Sequence, residues 1–201
     1  MTDDTPTSKA STASVSAQDN RVAAYRERLA KKPLLAESES AKAAPEPDVS
    51  ALQSLVGDVE DNSPAFQSVA VAAVQILERA LCFEREAAEA ALSLGQREKM
   101  RTMVDTVEAA VGALRNTLSV QGAKVMNLCS EKEPPPTSSG QPWWFALTDA
   151  LEVLEEGTGR MASLTTAQPE GSSAHALSQC ITQLLRSHHD ALLLEAEQWI
   201  S

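Results

Sequence analysis

Cysteine is scarce in this 201-residue chain, with only Cys82, Cys129 and Cys180, about fifty residues apart and never in a CxxC pair. That spacing excludes a disulfide framework and a structural zinc site, and it fits a reducing compartment. Basic residues are also in the minority, 17 Lys and Arg against 28 Asp and Glu, for a net charge of -11. Nucleic acid and anionic membrane need clustered Lys and Arg, so both are poor partners, and a protein with a basic surface is the better one. The N-terminus starts with Asp3 and Asp4 and has no apolar core of a secretory signal, nor the Arg-rich, acid-poor character of a transit peptide. No apolar run is expected to reach the roughly 20 residues that span a bilayer, and no segment carries the alternation of a strand. These absences predict a cytoplasmic, all-α protein without membrane insertion.

Composition divides the chain. Residues 1–47 hold most of the Ser and Thr runs, four of the ten prolines, and seven acidic against seven basic residues. They have too few large apolar side chains to offset the entropy of ordering, which predicts a disordered tail. Within it, residues 19–32 (DNRVAAYRERLAKK) have helical spacing, a cap at Asp19 or Asn20 and a stop at Pro33. Val22, Tyr25 and Leu29 share a face of this short basic helix, which is too short to persist alone and suits docking into a groove. The remaining residues, 48–201, carry 21 acidic and 10 basic residues (28 minus 7, and 17 minus 7) and are long enough to bury a core.

What is present in that body is helical period. Met100, Val104, Val107, Val111, Leu114 and Leu118 step by 4, 3, 4, 3 and 4, and the pattern resumes at Val125 and Leu128. Only a helix puts these on one seam, over roughly residues 97–128. A first helix is expected to open at Ser63-Pro64 and run to Leu94, with Gly95 as its stop. A shorter one is expected over Val49–Val59. The proline-rich stretch 130–142 interrupts the pattern and is long for a hairpin turn. Helix three begins at Trp143 or Trp144 and runs toward Leu164, with a kink or break at Gly157 and Gly159 as plausible as continuity. Pro169 to Gly171 form a turn, Ser172 or Ser173 caps the last helix, and Leu177, Ile181, Leu184, Leu185, His188, Leu192 and Trp199 line its face. The expected architecture is an antiparallel four-helix bundle, or two long helical hairpins, behind the tail.

Strict up-down-up-down order would gather Phe66, Trp143, Trp144, Phe145 and Trp199 at one end. Adjacent Trp143 and Trp144 cannot both face one core from one helix, so one of them is expected to be exposed, and Trp143, Trp144 and Trp199 become candidate partner-binding residues beside Val22, Tyr25 and Leu29. No set of residues has catalytic, metal-ligand or cofactor spacing. His188 is expected to be a core histidine with a hydrogen-bond partner, His189 a solvent residue, and the pairs Glu155-Glu156 and Glu195/Glu197 solvated faces or helix ends. His175, in SSAHALSQ, resembles the His-bearing helix of histidine phosphotransfer domains, which would imply a phosphorelay bundle; the Lys-Gly that follows there is missing here. The leading expectation is a non-enzymatic interaction or scaffold subunit, compatible with homo-oligomers. A bacterial type III-type secreted effector, or its helical regulator, is the alternative suggested by the tail.

Overall fold

The computed structural model of the chain describes Glu27, Leu52, residues 63–120 and residues 143–200, with residues 199 and 200 by backbone alone. The chain divides into two compact units, Met1–Ala41 and Lys42–Ser201. In the first, only Glu27 is described, and it is helical; the tail and the rest of the 19–32 helix, with Val22, Tyr25 and Leu29, lie outside the described residues. So does most of the expected 49–59 helix, although Leu52 is helical and only 1% exposed.

The second unit is a four-helix bundle: α1 (Pro64–Ala90), α2 (Leu94–Val120), α3 (Trp143–Ala167) and α4 (Ser173–Ile200). Among the described residues there is no strand. Each helix starts where its local chemistry dictates. Ser63 caps α1, its Oγ accepting from Phe66 N at 3.2 Å, with Pro64 in the first turn where its missing N–H costs nothing. Ser172 caps α4 by accepting from His175 N at 3.1 Å, and Gly171 takes the left-handed φ of 78° that the turn before it requires.

The α1–α2 boundary differs from the expected one. Helix α1 ends at Ala90, and Gly95 lies in the first turn of α2 instead of stopping α1. The reason is a reciprocal capping box: Ser93 Oγ accepts from Gln96 N, and Gln96 Oε1 accepts from Ser93 N, each at 3.2 Å. Arg97 Nη2 then donates to the freed Ala91 carbonyl at 3.3 Å. The 121–128 extension expected for α2 lies outside the described residues.

Helix directions follow from paired contacts. Glu78 meets Arg115 and Arg85 meets Glu108, so seven residues forward in α1 is seven back in α2. Arg79 pairs with Glu156, and Glu86 feels the charge of Asp149, the same seven forward and seven back for α3. Helices α3 and α4 are antiparallel, with His175 Nδ1 3.2 Å from the Thr165 carbonyl near their turn and Gly157 beside Leu185 farther along. Helix α4 therefore runs parallel to α1, the two joined by His188 and Glu84. The order is up, down, down, up, made of two antiparallel hairpins. Phe66 accordingly lies at the opposite end from Trp143 and Trp144, so it does not join the other four aromatics expected there.

Helix α1 is the hub, with extensive contacts to α2 and α3 and a smaller one to α4, while α3 and α4 pack most extensively of all. Being surrounded, α1 is apolar nearly all round. It is in fact long and apolar enough by composition to cross a membrane, against the expectation, but 56% of the window that passes is buried within the bundle. Helix α3 continues unbroken through Gly157 and Gly159. Gly157 is where α3 meets α1: a Cβ there would lie 2.8 Å from Ile76 Cγ2, so only glycine allows this approach.

Candidate interaction site

The buried ionisable groups are spent on holding helices to one another. Glu78 ties α1 to α2 through Arg115. Glu195, in the last turns of α4 and only 7% exposed, is a helix-end carboxylate and not a solvated one; it ties α4 to α2 through Lys99 at 2.8 Å and Gln96 at 3.4 Å. Glu84 and His188 are both fully buried, and His188 Nδ1 lies 2.8 Å from Glu84 Oε1, the core partner expected of that histidine. The second oxygen, Glu84 Oε2, has no hydrogen-bond partner. His189 is also largely enclosed instead of solvated: its Nε2 is buried without a partner and its Nδ1 is 3.4 Å from Asp190. Among the described residues, no three His, Cys, Asp or Glu side chains converge as metal ligands. Cys82 and Cys180 are half-buried, and Cys129 lies outside the described residues.

Trp143 and Trp144 are 2% and 5% exposed, so neither is the partly exposed anchor expected. Helix geometry explains this. Thr165 marks the seam of α3 that faces α4, and at about 100° per residue Trp143 falls some 40° to one side of it and Trp144 some 60° to the other. Two adjacent residues that straddle a neighbouring helix can both be covered by it. The side chain of Trp199 is not described; by the α3–α4 register its backbone lies at the same end as Trp143 and Trp144.

That end of the bundle instead exposes leucines. Leu92 and Leu94, in the α1–α2 turn, are 68% and 69% exposed, and Leu194, in the last turns of α4, is 47% exposed. The capping box sets this geometry: by fixing Ser93 it turns the flanking leucines outward. The sequence expectation, a first helix running to Leu94 with Gly95 as its stop, keeps both leucines within a helix and so misses them. The Ser-x-x-Gln spacing of Ser93 and Gln96 was the signal that could have placed the turn.

Charge at this end is asymmetric. Arg85 is paired with Glu108 at 2.5 Å, Lys99 with Glu195, and Arg97 with the Ala91 carbonyl. On the outer side of α1, Glu86 is repelled by Asp149 and Glu89. Its carboxyl is pushed above the usual range for glutamate, first by partial burial and then by those two charges.

Comparison with known protein families, characterised proteins and solved structures finds no match to this chain.

Proposed function

We propose that this chain is a non-enzymatic interaction or scaffold protein whose bundle presents the α1–α2 turn to a protein partner, while the tail adds a docking helix through Val22, Tyr25 and Leu29. The observation that carries this reading is the pair Leu92 and Leu94, more than two-thirds exposed in a molecule whose other described helices keep most leucines inside. Large apolar side chains held outward on a rigid turn cost solubility and are the usual mark of a binding surface. Supporting it, the buried charged groups are committed to joining helices, as Glu78–Arg115 and Glu195–Lys99 are, which leaves them structural work rather than chemistry on a substrate.

The test is cross-linking with mass spectrometry in parallel on the wild-type chain and on L92S/L94S. The double variant is expected to melt like wild type, because both side chains already face water, and to lose the cross-linked partner. Retention of the same partner at the same yield would remove the turn from the interface. A parallel sample lacking residues 1–47 shows whether the tail contributes: loss of the partner there, with the turn intact, assigns the docking to Val22, Tyr25 and Leu29.

A further inference from the structure

The turn leucines adjoin the last turns of α1, and that adjacency narrows the kind of partner. Glu86 and Glu89 occupy the outer side of α1 within two turns of Leu92. Glu86 meets Asp149 across the α1–α3 boundary with the same sign of charge. Two turns earlier, the same boundary is closed by an attractive pair, Arg79 with Glu156 at 2.9 Å. The α1–α3 edge is thus satisfied in the middle of the bundle and repulsive at the leucine end. Toward that end Arg85 is engaged by Glu108, Lys99 by Glu195 and Arg97 by the Ala91 carbonyl.

Resting on the reading above, we propose that the Leu92/Leu94 turn and the adjoining Glu86/Glu89 edge form one docking surface for a basic amphipathic helix of a partner protein. An amphipathic helix has an apolar stripe that can cover both leucines and cationic flanks that can reach the edge. A second copy seated through its own bundle is the wrong occupant, because it would bring another Glu86/Glu89 edge against the first. Electrostatic complementarity of this kind mainly sets the association rate and the choice of partner, while the leucines hold the complex.

One consequence separates this surface from generic stickiness. A cation placed beside Glu86 lowers the affinity of that carboxyl for its proton, so binding releases a proton and strengthens as pH rises through the upper part of the carboxylate range. Binding to the leucines alone has no such dependence.

The experiment uses the full chain and two probes, a short leucine–lysine peptide of helical period and its leucine–glutamate counterpart. Affinity is read by fluorescence anisotropy at low and high salt and at two pH values, with sedimentation of the chain alone. The proposal expects the lysine peptide to bind more tightly, weakening with salt. It expects about a tenfold or greater loss in L92S/L94S, a comparable loss in E86Q/E89Q, and no pH dependence in the latter. E86Q/E89Q removes like-charge repulsion, so it remains folded and is a clean test of charge. Equal binding of the two peptides, or full affinity in E86Q/E89Q with affinity lost in L92S/L94S, overturns the basic partner while the interaction turn stands. Self-association that disappears in L92S/L94S also overturns the basic helix, in favour of a second copy. No effect of L92S/L94S on any of these readings overturns both the surface and the function proposed above.

Discussion

Glu84 and His188 are two buried polar side chains that meet at one contact. Both are removed from water, and Glu84 Oε2 has no compensating bond, so neither side chain can lose its partner without stranding the other. Glu84→Leu alone, or His188→Leu alone, is expected to destabilise by about 3–5 kcal/mol, whereas the double change costs much less because no polar group is then left inside. A denaturant double-mutant cycle checks this, and simple additivity would show that the pair is not coupled. The two glycines of α3 make a second contrast. Gly157→Ala pushes a methyl into Ile76 at 2.8 Å and is expected to lose about 1–3 kcal/mol despite its better helix propensity. Gly159→Ala meets nothing within 4 Å and is expected to gain up to about 1 kcal/mol in a thermal melt. Glu86 carries a pH prediction with a definite sign. Its carboxyl holds its proton more firmly folded than unfolded, so its contribution favours the fold below the ordinary glutamate range and is lost as pH rises through the raised value. Glu86→Gln should therefore melt slightly above wild type at neutral pH, by the roughly 0.2–1 kcal/mol typical of exposed charge pairs, and show no such advantage in strong acid.

Helix α2 is the element whose making was most legible. Its ladder residues Met100, Val104, Val107, Val111, Leu114 and Leu118 are all buried, as the 4-3-4-3-4 spacing requires. Leu114→Asp is expected to destabilise by several kcal/mol, because an unpaired carboxylate would have to leave water at a position with no exposure. His175→Ala should change little, since its ring gives only one partly buried contact with the Thr165 carbonyl. Circular dichroism melts of both variants decide, and a wild-type melt for Leu114→Asp would contradict the packing of α2. What sequence could not supply was the spatial relation between elements. The caps at Ser63 and Ser172 are local and were readable; the α1–α2 break was equally local but hidden inside an unbroken apolar pattern. Which helix lies beside which is set by pairs such as Glu86 and Asp149, 63 residues apart in number (149 minus 86), and no periodicity records that. The same blindness misplaced the candidate site. Trp143 and Trp144 look like anchors when α3 is imagined against one neighbour and are enclosed once α4 straddles them, whereas Leu92 and Leu94 look like core until the turn is known.

In the bundle as a whole, the direction order also accounts for the long connection between α2 and α3. Level 120 of α2 lies beside level 73 of α1 by the first pairing, and level 143 of α3 beside level 92 by the second. The chain must therefore travel about 28 Å along the bundle axis between them, at 1.5 Å per helical residue, and a tight turn could not do it. The parallel pair α1 and α4 has a further consequence, because the chain enters the bundle at one end and leaves it at the other. A pull on the two ends does not peel the helices apart one turn at a time. It slides α1 along α4 and loads the whole length of their contact at once, including the Glu84–His188 lock. Stretched in optical tweezers through handles on residues 63 and 200, the bundle should hold to a higher force than when handles on residues 64 and 120 unzip the hairpin of α1 and α2 from its open end. Losing His188 should lower the first force and leave the second nearly unchanged. Helix polarity alone therefore decides whether a pull through the chain ends loads this bundle in shear or unzips it.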